Sequence, residues 1–183
     1  MLLPTKKNEV VFVYINPTKT TINIYTYKML INRTIDLKPI YMNSNILEHL
    51  LSESKKILKD ECTKEDGYIM CVNKISRIIG NYNLRFELEL DVDILKLNIS
   101  DVVMCKIIMI YEDGIFALAK EKQRVLIPSK HLVDNGFIHN NGIFTNDETN
   151  SIYDKDSLIK VEITQMMYNK KNFNCIGKLF IDT

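Results

Sequence analysis

Six residues in the second half of the chain have side chains suited to gripping a charged, flat ligand: Phe116, Lys120, Lys122, Arg124, Lys130 and His131. An exposed aromatic face stacks on a nucleobase, and cations beside it neutralise phosphate, so the set fits single-stranded nucleic acid better than any covalent chemistry. Phe116 fits a core position equally well, and the lysines also fit solvated turns. An opposing signal lies upstream. Glu87, Glu89, Asp91 and Asp93 fall on one face of an alternating stretch and would repel a phosphate backbone there.

Residues with catalytic potential are few. The three histidines, His49, His131 and His139, fall in a helical pattern, a strand end and a loop. There is no glycine-rich phosphate loop, nucleophile elbow or H-E-x-x-H. The four cysteines, Cys62, Cys71, Cys105 and Cys175, form no C-x-x-C pair, which argues against zinc. Cys71, Cys105 and Cys175 sit in apolar strand patterns and are expected to be small buried hydrophobes in a reducing compartment. Asn32-Arg33-Thr34 and Asn98-Ile99-Ser100 then read as chance glycosylation matches. No enzyme, cofactor or metal is expected.

Bulk numbers set the frame. The chain has 183 residues, 46% hydrophobic and 26% charged, with a formal net charge of +1. That is ordinary for a soluble protein of one large or two small domains, with no global field to draw it onto nucleic acid. No apolar run approaches the roughly 18 residues of a membrane span, and the first residues do not read as a secretory signal.

The elements that must position these side chains follow from pattern. Val10–Ile15 and Thr21–Tyr25 are β-prone runs around Asn16-Pro17-Thr18-Lys19. A strand over Tyr27–Leu37 stops at Pro39. A helix follows, with Asn45 as N-cap, Glu48 completing a capping box, and Ile46, Leu47, Leu50, Leu51, Ile57 and Leu58 on one face interrupted by Ser54. Gly67–Ile75 reads as a strand buried on both faces, and Gly80-Asn81-Tyr82-Asn83 as a turn into the alternating strand Leu84–Ile94. Three strands come next: Val102–Tyr111, Ile115–Ala119 and Arg124–Ile127. An irregular stretch, Val133–Tyr153, either an insertion or a structured surface loop, precedes two more, Ser157–Met167 and Phe173–Ile181. Short strands between tight turns predict a small coiled barrel of five strands. The fold class is α+β: an extension over 1–26, a strand–helix–strand domain over 27–97, and a barrel domain over 98–183.

Two resemblances sharpen this. Ser100-Asp101-Val102-Val103-x-Cys105, Gly114-Ile115-Phe116-Ala117 and Val125-Leu126-Ile127-Pro128-Ser129-Lys130-His131-Leu132 resemble the opening of the OB barrel of ribosomal protein S-one and its relatives, with Ser100 and Cys105 where that family has glycine. The whole order of parts resembles the stalk subunit of multi-subunit DNA-dependent RNA polymerases, the family of subunit 7 of eukaryotic RNA polymerase II and its archaeal counterpart. The matches are Thr34-Ile35-Asp36-Leu37-Lys38-Pro39, Gly67-Tyr68-Ile69-Met70-Cys71-Val72, Lys130-His131-Leu132 and Cys175-Ile176-Gly177-Lys178-Leu179, in co-linear order.

That resemblance implies a small RNP-like domain docking on the polymerase core and an OB barrel near exiting RNA, without catalysis. The docking tip would be Ile40–Asn45 together with Ser76–Asn83, with Ile40, Tyr41, Asn43, Ser44, Ser76, Arg77 and Gly80 as its candidate residues, and Ser76–Asn83 is shorter than the family's usual loop. Implied partners are the polymerase core subunits, a subunit-4-type stalk partner and nascent RNA held weakly without sequence preference; no membrane is involved. The implied setting is a virion or cytoplasmic viral factory for a viral source, and the nucleus otherwise. The rival readings are a free-standing single-stranded RNA-binding protein of translation or RNA decay, and a structural protein that keeps the fold without RNA contact.

Overall fold

Strict alternation along residues 85–95 buries Phe86, Leu88, Leu90, Val92 and Ile94 on one side of a strand, and the first part of the molecule is built against that side. The computed structural model describes residues 26–181, so the two β-prone runs and all but the last residue of the extension expected over 1–26 lie outside the described residues. The chain divides into two compact units, with Lys96 closing the first and Leu97 opening the second. The described residues are β-rich with two short helices, a β-rich α+β architecture.

The first unit runs β1 (Thr26–Asp36), a 3-10 turn (Pro39–Tyr41), α1 (Ile46–Ile57), β2 (Cys62–Thr63), β3 (Gly67–Tyr82) and β4 (Arg85–Leu95). The four strands form one antiparallel sheet in the order β1-β4-β3-β2. One side of α1 seats on it through Leu50, Ser54 and Leu58, all buried. Ser54 therefore belongs to the packed ridge and does not interrupt it. Its hydroxyl donates to Leu50 O at 2.7 Å, which satisfies the one polar group on that ridge. Leu47 and Ile57 stay half exposed in the first and last turns.

The capping box does not form. Asn45 has φ −99° and ψ 24°, not the extended backbone that aims a cap side chain at the helix, because the 3-10 turn winds almost directly into α1. Asn43 takes over: its Oδ1 accepts the Asn45 N–H at 2.9 Å, and its carbonyl accepts the Ile46 N–H. At the far end of the helix, Arg33 on β1 ties down the segment around β2. Its Nη2 lies 2.7 Å from Glu61 and 3.0 Å from Asp66. Burial works to lower the Arg33 pKa, and the hydrogen bonds to the two carboxylates outweigh it and hold it raised.

β3 departs most from expectation. It is 16 residues long, runs through the turn expected at residues 80–83, and is buried mainly near its start. Four bulges, one every three residues, set three residues of β3 against two of β4. The apolar residues follow that mismatch: Ile69, Val72, Ile75 and Ile78, at period three, stand opposite Ile94, Val92, Leu90 and Leu88, at period two. The continuous apolar run predicts burial on both faces; the bulges instead give one apolar face, with Met70, Asn73, Ser76 and Ile79 as the inserted residues. Bulges also add twist, so the sheet coils strongly.

In the second unit β5 (Val102–Tyr111), β6 (Gly114–Ala119) and β7 (Gln123–Pro128) lead into α2 (Ser129–Val133). After β8 (Ile138–Asn140), β9 (Ile143–Asn146) and β10 (Ser151–Tyr153) come β11 (Leu158–Asn169) and β12 (Asn172–Leu179). β5, β6, β7, β11 and β12 close into a barrel in the order β11-β12-β7-β6-β5, with β12 parallel to β7 and the other pairs antiparallel. Every second side chain fills the interior, among them Cys105, Ile107, Ile115, Val125, Ile127, Val161 and Ile163. Gly177 is required there: a Cβ would run into Val161 Cγ1 and Glu162 O where β12 crosses β11. Ser100, which stands where the S-one-type barrels have glycine, adopts φ 73°, the region glycine favours.

The stretch Val133–Tyr153 is structured, the second of its two readings, but by strands and not as a loop. It forms a three-stranded sheet, β10-β9-β8, over the fully buried Phe144, with Phe137 stacked on Tyr153 at 4.9 Å. Its polar composition reflects turns: Asn146 Oδ1 accepts the N–H groups of Glu148 and Thr149.

Candidate functional site

The first candidate region is one end of the first unit. Asp36, the last residue of β1, pairs with Arg85, which also pairs with Tyr82 at the end of β3. The Asp36 carboxylate and Arg85 guanidinium meet at 2.8 Å, which lowers the Asp36 pKa and raises that of Arg85. The Leu37 N–H donates to Leu84 O at 2.7 Å. The segment after β1, which carries Ile40, Tyr41, Asn43 and Ser44, is thus joined to the β3–β4 turn, whereas Ser76 and Arg77 lie midway along the sheet, level with Leu90 and Glu89 of β4.

Their side chains differ in what they offer. Ile40 is 77% exposed, while Tyr41 is half buried and stacks on His49 at 4.7 Å. Asn43 and Ser44 are exposed and engaged in local hydrogen bonds at the helix start. Ser76, Arg77 and Gly80 are not in a loop. They lie within β3, because the bulges let the strand absorb extra residues while staying paired; the turn itself is only Asn83-Leu84, with Asn83 at φ 55°. Arg77 is bound to Glu89 at 3.1 Å. Within the expected tip segments, Ile40–Asn45 and Ser76–Asn83, the sequence reading did not single out Tyr82, 78% exposed, or Ile78, Ile79 and Met42, all partly open to solvent. The available signal was an Ile-Ile pair followed by tyrosine where the apolar pattern of the strand runs out.

Three of the four acids on the outer face of β4 have a cation opposite them; Glu87 stands opposite Thr34 and Gly80. Asp91 and Glu89 stand opposite Lys74 and Arg77 on β3, and Asp93 stands opposite Lys28 on β1. Asn73, one of the inserted residues, donates to both Asp91 and Asp93. The bulges deliver the side chains that quench this face.

The second region is the outer surface of the barrel. Phe116 alternates with the interior residues Ile115 and Ala117, so it points outward and is 37% exposed. Its ring meets Tyr111 edge-on at 6.0 Å. A row of side chains crosses the strands here: Met109, Phe116, Leu126 and Ile176 are successive register partners on β5, β6, β7 and β12. Beside Tyr111 lies a cleft of about 300 Å³ lined by Ile108, Met109, Ile110, Tyr111, Gly142 and Lys155. This surface can offer a flat apolar face to a planar ligand. Tyr111 and Met109 were missed as partners of Phe116, because only the register brings them together.

The cations do not form one cluster. Lys120 and Lys122 occupy the β6–β7 turn beyond the Ala119–Gln123 pair, with exposed Arg124 next to it. Lys130 and His131 lie on α2, just after Pro128, which pairs with Gly114 at the other end of the same ladder. Five residue steps, about 17 Å, separate the two groups. Lys130 is exposed; His131 is partly covered, and its carbonyl accepts from Asn135 Nδ2 at 2.6 Å.

The cysteines are all free. Cys71 is exposed, against expectation, because it falls on the outer face opposite Asp93, and Cys62 is buried instead. Burial pushes the Cys105 and Cys175 thiols up to about 12, which makes them inert barrel packing at neutral pH. Among the described residues no group of His, Cys, Asp or Glu could hold a metal ion, and no helix is long and apolar enough to cross a membrane. No protein-family model matches the chain, and no curated protein matches it in sequence.

Proposed function

We propose that this chain is a non-catalytic stalk-type subunit of a multi-subunit DNA-directed RNA polymerase. The first unit is its RNP-like docking domain, and the second an OB barrel of the S-one type that meets exiting RNA. The observation that carries the reading is the co-linear set of motifs seated on a helix-backed antiparallel sheet followed in sequence by a closed five-stranded barrel in the order first-second-third-fifth-fourth, with a parallel third–fifth pair. The motif residues support it. Gly67-Tyr68-Ile69 opens the long strand and is buried, Pro128-Ser129 turns the third barrel strand into α2, and Gly177 sits at a strand crossing that excludes a side chain. A fold alone does not specify function, so the co-linear motifs bear the weight.

Docking would use the exposed Ile40, Met42, Ile78, Ile79 and Tyr82, an apolar end that solvent does not reward. RNA contact would use Phe116 and Tyr111 with nearby cations, in a weak, sequence-tolerant mode. The test is recovery of the tagged full chain from its native source. Stoichiometric polymerase core subunits, lost with an Ile40→Asp/Tyr82→Asp variant that still folds, support the reading. A chain that elutes free of polymerase and binds RNA at submicromolar concentration supports a free-standing RNA-binding protein.

A further inference from the structure

β1 ends the sheet of the first unit and, among the described residues, pairs only with β4, so its other edge has no strand beside it. The Leu37 N–H donates to Leu84 O in line with that ladder, so the odd-numbered residues of β1 are the ones that exchange hydrogen bonds with β4. The even-numbered residues Lys28, Leu30, Asn32, Thr34 and Asp36 then turn their N–H and C=O groups toward the unpaired edge, and all five are exposed. No proline, glycine or bulge interrupts β1, so nothing in its own backbone blunts that edge.

A side chain guards it instead. Arg33 Nη1 donates to Asn32 O at 2.9 Å, which brings the guanidinium over the edge at its midpoint. Glu61 accepts from Arg33 Nε at 2.9 Å and from Nη2 at 2.7 Å, and Asp66 accepts from Nη2 at 3.0 Å. Both carboxylates belong to the segment between α1 and β3, so residues from outside β1 hold the guard in place. The edge is also complementary to itself. In an antiparallel pair of β1 strands with a two-fold axis at Asn32, Lys28 faces Asp36 at both ends and Leu30 faces Thr34. Moving the axis by one residue sets Lys28 against Thr34 or Lys38 and leaves Asp36 against Thr26 or Leu30, so charge singles out one register.

We propose that β1 is a strand-addition edge for β1 of a second copy of this chain, and that Arg33 holds it shut. While Glu61 and Asp66 fix the guanidinium, the Asn32 carbonyl at the centre of the pairing is taken, and a facing strand would meet a cation. With the guanidinium released, two copies pair about Asn32 in an isologous two-fold contact, every facing even-numbered pair exchanging both of its backbone hydrogen bonds. Asp36 already pairs with Arg85, and Lys28 stands opposite Asp93, so a facing copy extends two charge pairs that the sheet has begun. A second copy is favoured over a strand of another protein because the complementary charges lie on β1 itself. The guard stands apart from the polymerase reading and does not depend on it.

The experiment follows the sedimentation of the full chain, of Arg33→Ala and of Glu61→Gln/Asp66→Asn over a range of concentrations, alongside thermal melts that confirm folding. The second variant releases the guard without touching β1, so it carries the test if Arg33→Ala does not fold. The unaltered chain is expected to stay monomeric, and both variants to dimerise as concentration rises, weakly, as suits the small area of one strand pair. Adding Lys28→Asp or Asp36→Lys to a released variant sets like charges face to face at two positions and should weaken the dimer about thirtyfold. Mixing those two doubly altered chains should restore it, because each then meets the opposite charge at both positions. Released variants that fold and stay monomeric at every concentration overturn the proposal, as does a dimer indifferent to the charge reversals. An unaltered chain that already dimerises in this charge-sensitive way overturns the guard.

Discussion

The molecule carries two charged surfaces with opposite treatment. On the outer face of the first unit, three of the four acids of β4 stand opposite Lys74, Arg77 and Lys28 on the strands on either side, and Asn73 donates to two of them, so most of that face is balanced. Glu87, opposite Thr34 and Gly80, is the exception. At the β6–β7 and β11–β12 turns of the barrel, lysines and an arginine accumulate around one glutamate. A net charge of +1 conceals both. Register, more than composition, decides which charges are brought together: bulges in β3 bring cations to acids, and a parallel strand pair brings cations beside cations.

Four substitutions probe this contrast. The largest effect is expected where the β3–β4 register holds the first core. Leu90 is fully buried opposite Ile75, so Leu90→Ala should destabilise the first unit by about 3 kcal/mol, read by urea unfolding. Equal tolerance at Leu90 and at exposed Asn73 would contradict the bulged register. Next in size, Phe116→Ala should weaken binding of a single-stranded oligonucleotide by about 1–2 kcal/mol with an unchanged melting temperature, as expected for an outward stacking residue. A large drop in melting temperature would instead make the ring structural.

Ser100→Gly should stabilise the second unit by about 1 kcal/mol, because the φ of 73° strains any residue with a Cβ. Loss of stability on that change would mean that the strand entry is held some other way. The smallest effect is expected on the balanced face. The Arg77–Glu89 pair has an exposed guanidinium, so Arg77→Ala should alter stability by no more than about 0.5 kcal/mol and leave oligonucleotide binding unchanged. Altered binding would show that the face takes part after all.

Much of this is legible in the sequence where one residue pattern maps onto one geometry. The alternation of β4 marks its buried face, and the turn chemistry around Gly114 and Pro128 marks the barrel's first three strands. The turn residues of Val133–Tyr153 hide three short strands, which are too brief for any periodicity to emerge. β3 misleads because period three belongs to neither a helix nor a regular strand; only pairing against β4 gives it meaning. Asn45 and Glu48 match a capping box in spacing, yet the 3-10 turn before them sets the wrong backbone. The candidate site is legible residue by residue but not as a constellation. Phe116 and Tyr111 meet only through the β5–β6 register, and Lys170 and Lys171 join Lys120 and Lys122 only through the parallel β7–β12 pair.

The most direct measurement of the central claim is purification of the tagged full chain from its native source, with the co-purifying proteins identified and quantified. The account expects the large subunits of a DNA-directed RNA polymerase at one copy per chain, and their loss when Ile40 and Tyr82 are both changed to aspartate. A chain that elutes without polymerase, folded and unaffected by those changes, would contradict it.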